Sequence, residues 1–122
     1  MLTIVQAIAQ FEGFNIPHSR AQRNNNPGNI NFGSFAQQFG ATLETIPQGV
    51  EEKARFAYFP TTDQGWNCLR ELLNSCYNGM TILAAFNKYA PSTENNTESY
   101  AEFVCRETGL SLTTVLSTEN IG

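Results

Sequence analysis

The spacing of apolar residues near the N-terminus predicts a helix over residues 3–12. Apolar side chains recur there every three or four residues, which places them on one helical face. Thr3 is suited to cap the first turn, and Gly13 is placed to end the helix. The apolar face consists of Ile4, Val5, Ile8 and Phe11.

The same spacing returns in the second half of the chain and predicts a longer helix there. This helix begins at Thr61 or Thr62, runs to about Tyr77 and is followed by Gly79, a residue typical of helix C-termini. Its predicted core stripe comprises Trp66, Leu69, Leu73 and Cys76.

Shorter helices are predicted beyond this point. One covers Ile82–Tyr89, is capped by Thr81 and is stopped by Pro91, and the Asn-rich segment Ser92–Asn96 is predicted as a loop. A further helix ends at Gly109, and its helical spacing rests on Tyr100, Phe103, Val104 and Glu107.

Polar and strand-forming residues fill the middle of the chain. Asn15–Asn29 is predicted as a loop-rich connection in which Ser19–Asn24 forms a short helix. Ile30–Phe59 favours strands, with turn signals at Gly33, Gly40 and Pro47-Gln48-Gly49. A short last helix is predicted near Thr113–Ser117. Together these elements predict one α+β domain over residues 1–122, which is mostly helical and contains a small hairpin or three-stranded sheet.

Charge and composition narrow the classes of partner. The 122 residues carry seven basic and eleven acidic side chains, a net charge of -4, without a basic run. Nucleic acid is therefore excluded as a partner. No apolar stretch approaches the ~20 residues of a membrane-spanning helix, so no membrane insertion is expected, and no signal peptide is visible.

The counts of histidine and cysteine limit the chemistry further. A Ser-His-Asp or Cys-His arrangement would have to use His18, the single histidine. Cys68, Cys76 and Cys105 lack zinc-ligand spacing, and we interpret them as buried structural thiols, of which Cys68 or Cys76 could pair with Cys105. Neither a metal nor a cofactor is expected.

Glu12 is the first candidate for catalysis. It lies in the last turn of an otherwise uncharged predicted helix, at the negative end of the helix dipole and between Phe11 and Phe14. These surroundings disfavour the ionised carboxylate, and a protonated carboxyl is what a general acid in glycosidic cleavage requires. The alternative is a solvated glutamate at a helix end.

A run of amides around a Pro-Gly turn is the second candidate. Asparagines cap turns locally, but five within eight residues exceed that need. Amides that both donate and accept hydrogen bonds match sugar hydroxyls and N-acetyl groups, so a sugar-binding wall is predicted. The run comprises Asn24, Asn25, Asn26, Asn29 and Asn31.

These segments resemble the lysozyme-like superfamily, and most closely small phage and bacterial wall-degrading proteins with an Asn-Asn-Pro-Gly-Asn motif. Their order is also similar to that in lytic transglycosylase and glucosaminidase domains, over roughly residues 4–110. The resemblance is carried by Phe11-Glu12-Gly13, Asn24-Asn25-Asn26-Pro27-Gly28-Asn29-Ile30, Phe59-Pro60-Thr61-Thr62-Asp63-Gln64-Gly65-Trp66, Tyr89-Ala90-Pro91 and Ser99-Tyr100-Ala101.

The resemblance implies cleavage of the glycan strand of bacterial peptidoglycan, with Glu12 protonating the glycosidic oxygen. The Asn-rich loop, with Asn25, Asn26, Asn29 and Asn31, would contact N-acetyl groups. Tyr89 or Tyr100 would approach the cleft as an aromatic partner, Tyr89 on the catalytic side and Tyr100 as a substrate contact. Ordinary core packing is the alternative for both tyrosines.

The sequence departs from the phage-lysozyme pattern because no acidic partner is obvious after Glu12. Asp63 is placed as a helix cap, and Glu44 is the best alternative among the hairpin carboxylates Glu44, Glu51 and Glu52. A lytic transglycosylase needs a single carboxyl, so this departure favours transglycosylation over hydrolysis.

The expected setting is the bacterial cell wall, reached from the periplasm, from a virion or by export, with the chain acting as a monomer. A non-catalytic glycan-binding or virion structural module of the same fold is an alternative, favoured by the acidic charge. Another is an exported effector that an inhibitor or immunity protein neutralises.

Overall fold

The computed structural model describes residues 1–89 and 97–122, and it confirms the α+β class. Nearly half of the described residues are helical, and two short strands form an antiparallel sheet. Pro91, the loop Ser92–Asn96 and the Ala90-Pro91 part of the resemblance lie outside the described residues. In chain order the elements are α1 Ile4–Phe11, α2 Arg20–Arg23, α3 Ser34–Gln37, β1 Thr42–Leu43, β2 Ala57–Tyr58, α4 Thr62–Cys76, α5 Ile82–Tyr89, α6 Thr97–Thr108 and α7 Thr118–Ile121.

These elements form two compact units. The helical unit comprises Met1–Phe11 and Arg70–Gly122, and the loop unit comprises Glu12–Leu69. Helix α4 contributes its first half to the loop unit and its second half to the helical unit. No helix in the described ranges is long and apolar enough to cross a membrane. The expectation of one domain over residues 1–122 stays a prediction.

In the helical unit, α6 packs against both α1 and α5, and α7 packs against α1. Helix α1 begins as predicted, since the Thr3 hydroxyl accepts the Gln6 N–H at 3.3 Å and the Gln6 side chain accepts the Thr3 N–H at 2.9 Å. Burial of the apolar faces stabilises this unit. Its fully buried side chains include Ile4, Ile8, Leu73, Ile82, Phe86, Tyr100, Val104, Leu116 and Ile121.

The buried face of α4 differs from the predicted stripe. Leu69 and Leu73 are buried as expected, but Cys76 is exposed and Cys68 is completely buried. The buried face follows positions four residues apart and ends on Tyr77, which turns Cys76 towards solvent. All three cysteines are free, so the pairing left open with Cys105 is absent.

The sheet of the loop unit is the hairpin, one of the two forms that the sequence predicted. β1 pairs with β2 in the register Thr42 with Tyr58 and Leu43 with Ala57, and an isolated bridge joins Asn31 to Phe56. No third strand forms in the described residues of this unit. The chain instead makes the short helix α3 directly after Gly33, which the sequence had marked as a turn.

The last helix lies later than predicted. Residues 113–117 include the β-branched Thr113, Thr114 and Val115, which are poor helix formers. Val115 bridges to Thr81, and the Ile82 N–H donates to the Thr114 carbonyl at 2.9 Å. The helix therefore starts after Ser117, whose N–H donates to Asn120 Oδ1 at 2.9 Å.

Candidate active site

Glu12 directly follows the last residue of α1 and is half-buried. The chain turns away at Gly13, whose φ of +80° is a conformation that glycine adopts without strain. The Ser19 hydroxyl donates to the Gly13 carbonyl at 2.6 Å, and the Ile16 N–H donates to the same oxygen at 2.9 Å. The backbone beside Glu12 is therefore held in a fixed turn.

The Asn-rich loop contacts Glu12 through Asn29, the last asparagine of the Asn-Pro-Gly-Asn motif. Asn29 Nδ2 donates to Glu12 Oε1 at 2.9 Å. The Asn29 backbone has a φ of +47°, in the left-handed region that asparagine tolerates, and its N–H donates to the Asn26 carbonyl at 3.2 Å. Two segments that the sequence singled out independently thus meet in the loop unit.

The other asparagines of the loop mainly build the loop itself. Asn24 is buried and its amide donates to Glu44 Oε1 at 3.0 Å. Asn25, with a φ of +51°, donates to the Phe59 carbonyl at 2.8 Å. The Phe59 N–H donates in turn to the Asn24 carbonyl at 2.9 Å. The loop is pinned to the end of β2 by these bonds.

Asn26 corrects the predicted sugar-binding wall. Its side chain is completely buried, donates to the carbonyls of Ile30 and Ala57 at 2.9 Å, and accepts the Ile30 N–H at 2.9 Å. Both amide protons are used within the unit, so Asn26 is unable to contact an N-acetyl group. Asn31 is exposed beside the Phe56 bridge and remains a candidate contact.

Helix α4 supports the loop through Gly65. A Cβ atom at this position would overlap the carbonyl oxygen of Asn25 and would lie 2.9 Å from Pro27 Cδ. The absence of a side chain therefore lets the helix backbone lie directly against the loop. This close contact explains why a glycine at position 65 accompanies the Asn-rich motif.

Glu44, the alternative catalytic carboxylate, lies in a buried ionic network. Its side chain is fully buried and takes bonds from Arg20 Nε at 3.0 Å and Arg20 Nη2 at 2.7 Å, and from the Arg55 and Phe56 N–H groups at 3.0 and 2.8 Å. Burial alone would raise the Glu44 pKa, but the bonds from Arg20, the two backbone N–H groups and Asn24 lower it from 4.5 to about 2.

The Arg20 guanidinium completes this network from α2. It also pairs with Glu52, donates to the Lys53 carbonyl at 2.9 Å and lies 4.4 Å from the centre of the Phe56 ring. Its pKa is raised, chiefly by the hydrogen bond to Glu44. We therefore interpret Glu44 as an ionised residue that fastens α2 to the segment before β2.

Phe14, which follows Glu12 closely in the chain, pairs with Trp66 of α4 in the loop unit. The rings of Phe14 and Trp66 meet edge to face, with centroids 5.5 Å apart, and both residues are half-buried. Trp66 was predicted in the core stripe of α4, where its partly exposed position was not foreseen. Partly exposed aromatic rings are suited to contact the apolar faces of sugars.

The two predicted tyrosines belong to the helical unit and differ in exposure. Tyr100 is completely buried and stacks on Phe11 with centroids 3.8 Å apart, so its predicted role as a substrate contact is corrected to core packing. Tyr89 is half-buried and lies edge-on to Tyr77, Phe86 and Tyr100. Tyr89 stays a candidate.

Sequence reasoning missed the Arg20 network and the Phe14–Trp66 pair. A signal for the first was present, because one arginine follows Ser19 at the start of a short helix and acidic residues recur on the later hairpin. Distances along the chain gave no indication of which carboxylate Arg20 contacts.

In the described ranges, no group of three or more His, Cys, Asp or Glu residues could hold a metal ion.

Comparisons of this chain with protein-family models, with curated proteins and with solved structures find no match. The features that bear on function are therefore the motifs and the geometry around Glu12.

Proposed function

We propose that this chain cleaves the glycan strand of bacterial peptidoglycan, with a lysozyme-like fold and Glu12 as the general acid. The observation that carries the proposal is the 2.9 Å contact between Asn29 Nδ2 and Glu12 Oε1. It brings the Asn-Pro-Gly-Asn motif against the carboxyl that the same resemblance marks as the proton donor.

The position of Glu12 suits proton transfer to a substrate. A general acid must be accessible to the glycosidic oxygen and must also be held in a defined orientation. Glu12 is half-buried, the turn at Gly13 fixes its backbone, and Asn29 holds one carboxyl oxygen.

The environment of Glu44 favours lytic transglycosylation over hydrolysis. An inverting hydrolase needs a second carboxylate to activate water, and a retaining one needs it as a nucleophile. Glu44 is buried and both of its oxygens accept hydrogen bonds from within the unit, so it is unsuited to either role. A mechanism that uses Glu12 alone fits this arrangement better.

In this mechanism one proton is transferred twice. Glu12 gives its proton to the glycosidic oxygen as the C1–O bond of the muramyl residue breaks. The C6 hydroxyl of that residue then bonds to C1, and its proton returns to the Glu12 carboxylate. The products are a free hydroxyl end and a 1,6-anhydro end, and no water is consumed.

Substrate contacts in the loop unit are proposed from side chains that remain accessible. Asn31 offers an exposed amide for sugar hydroxyls or acetamido groups, and Phe14 and Trp66 offer apolar ring surface. We place the activity at the bacterial cell wall.

The test is a digest of purified peptidoglycan by wild type, Glu12→Gln and Glu51→Gln, with fragments identified by mass spectrometry. Glu51 is exposed, so its variant controls for the loss of one negative charge. We expect anhydro-muropeptides from wild type and Glu51→Gln, and at least ~100-fold less from Glu12→Gln.

Other results would overturn parts of the proposal. Reducing-end products would establish hydrolysis in place of transglycosylation. Undiminished activity in Glu12→Gln would exclude Glu12 as the acid. If none of the proteins released fragments while wild type bound chitooligosaccharides tightly, the chain would be a glycan-binding module.

A further inference from the structure

Asn29 carries an acceptor that nothing in the described structure satisfies. Its Nδ2 donates to Glu12 Oε1, but its Oδ1 is buried and accepts no hydrogen bond from residues 1–89 or 97–122. A buried carbonyl without a partner costs roughly 1–3 kcal/mol. An arrangement with this cost calls for an explanation at a site where a proton moves.

The geometry of the amide supplies an explanation for this unpaired acceptor. The two ends of an asparagine amide have nearly the same shape, so a half-turn about the Cβ–Cγ bond exchanges Oδ1 and Nδ2. Oδ1 would then lie about 2.9 Å from Glu12 Oε1, within the range of an O–H···O hydrogen bond. In that orientation the amide accepts a hydrogen bond from protonated Glu12.

We propose that Asn29 is a positioning residue that holds Glu12 in both of its protonation states by turning its side-chain amide. This inference rests on the proposed function. While Glu12 is protonated, Oδ1 accepts the carboxyl O–H. After the proton has left, Nδ2 donates to the carboxylate, which is the orientation seen here. Glu12 keeps the same place throughout the cycle.

The residue type fits this role better than a charged one would. A carboxylate at position 29 would repel ionised Glu12, and an ammonium group there could not accept the O–H of protonated Glu12. Two arginines of the loop unit bond to other groups, and Arg23 Nη2 is buried without a hydrogen-bond partner in the described residues. Arg20 pairs with Glu44 and Glu52, and Arg23 Nη1 donates to the His18 carbonyl at 3.3 Å.

The backbone of Asn29 supports the role independently of the side chain. With a φ of +47°, the residue sits in a conformation that asparagine and glycine tolerate far better than other residues. Asn29→Gly therefore removes the amide without straining the loop. Asn25, with a φ of +51° and an amide that donates to the Phe59 carbonyl, offers the same change away from Glu12.

The first test is a magnetic resonance titration that does not depend on activity. The Asn29 Nδ2 proton signals and the Glu12 carboxyl carbon are followed between pH 3 and pH 9 in wild type and in Glu12→Gln. We expect the Asn29 protons to lose their hydrogen-bonded shift at the midpoint at which Glu12 gains its proton. This change should disappear in Glu12→Gln. Asn29 signals that stay constant while Glu12 titrates would overturn the proposal.

The second test separates positioning from stability. We expect Asn29→Gly to lower kcat about 10–100-fold with KM changed less than about twofold, and Asn29→Asp to lower kcat despite its equal size. Asn25→Gly reports the effect of a comparable loss of loop stability. An equal loss of kcat in Asn25→Gly and Asn29→Gly would contradict positioning. If Glu12→Gln proves fully active, the proposed function fails, while the titration still decides whether Asn29 follows Glu12.

Discussion

The glutamates of the loop unit differ in what surrounds them, and this difference decides what each can do. Glu44 is buried and bonded at both oxygens, whereas Glu12 is half-buried and is held at Oε1 by a neutral amide. A carboxylate that is stabilised in its ionised form by an arginine is a weak proton donor at neutral pH. The proposed function therefore gives the proton chemistry to Glu12.

Glu44 should make folding stability depend on acid. The lowering of its pKa from 4.5 to about 2 corresponds to roughly 3 kcal/mol of stability, present above about pH 4.5 and lost as the pH falls towards 2. At pH 7, Glu44→Gln should lower the free energy of unfolding by about 3 kcal/mol, because it removes the ionised carboxylate from this network and leaves Arg20 with only Glu52 and the Lys53 carbonyl.

Urea unfolding at pH 7, 4.5 and 3 measures both effects. The difference between wild type and Glu44→Gln should shrink at the lowest pH, and Glu51→Gln should behave like wild type throughout. A difference that stays constant down to pH 3 would show that Glu44 is not held ionised in the fold.

Single residues also show where sequence reasoning stopped. The special surroundings of Glu12 and the excess of asparagines were visible in the sequence, because both depend on neighbours along the chain. The internal role of Asn26 and the burial of Tyr100 were not, because they depend on packing between distant segments. Residue type thus indicated the candidate site, and contacts decided which of its residues remain accessible.

At the scale of elements, the starts of three helices were predicted correctly, and the sheet is the hairpin that was one of the two predicted forms. Thr3, Thr61 and Thr81 all accept N–H groups of a first helical turn, as their positions indicated. Strand signals over residues 30–59 gave only β1, β2 and one bridge. Capping is a local property, whereas strand formation depends on which segment pairs with which.

The contact between α4 and the Asn-rich loop gives a prediction about a whole element. Gly65→Ala should force the helix away from Asn25 and Pro27, lower the free energy of unfolding by about 1–3 kcal/mol, and reduce activity by displacing Asn29. Thermal unfolding and the peptidoglycan digest measure the two losses.

Gly33→Ala is the matched control for this change. A Cβ at Gly33 meets nothing within 4 Å, and its φ of 175° is extended backbone that any residue adopts. Gly33→Ala should therefore leave stability and activity near wild type. Equal behaviour of the two alanine variants would show that the close approach at Gly65 is unimportant.

At the scale of the whole molecule, charge should govern how the protein meets an anionic wall. The chain carries a net charge of -4, and the segments of the helical unit hold three basic and six acidic residues against four and five in the loop unit. Repulsion from an anionic polymer is screened by salt, with a Debye length of ~30 Å at 0.01 M and ~8 Å at 0.15 M.

The initial rate of wall digestion should accordingly rise as salt is increased from 0.01 to 0.15 M, by about 2–10-fold. Turbidity loss of a cell-wall suspension measures this rate, and uncharged chitooligosaccharides as substrate give the control, for which no rise is expected. A rate that falls with salt on the wall suspension would mean that a local basic surface guides the encounter.

The three cysteines offer a way to observe the fold opening. Cys76 is exposed and available to a thiol reagent, whereas burial raises the pKa of Cys68 to about 12 and, with Glu102, raises that of Cys105. Because the thiolate is the reacting form, Cys68 can be modified only when its surroundings open. Cys68 lies on α4 three residues after Gly65. Its labelling rate therefore measures how often the helix that supports the Asn-rich loop opens locally.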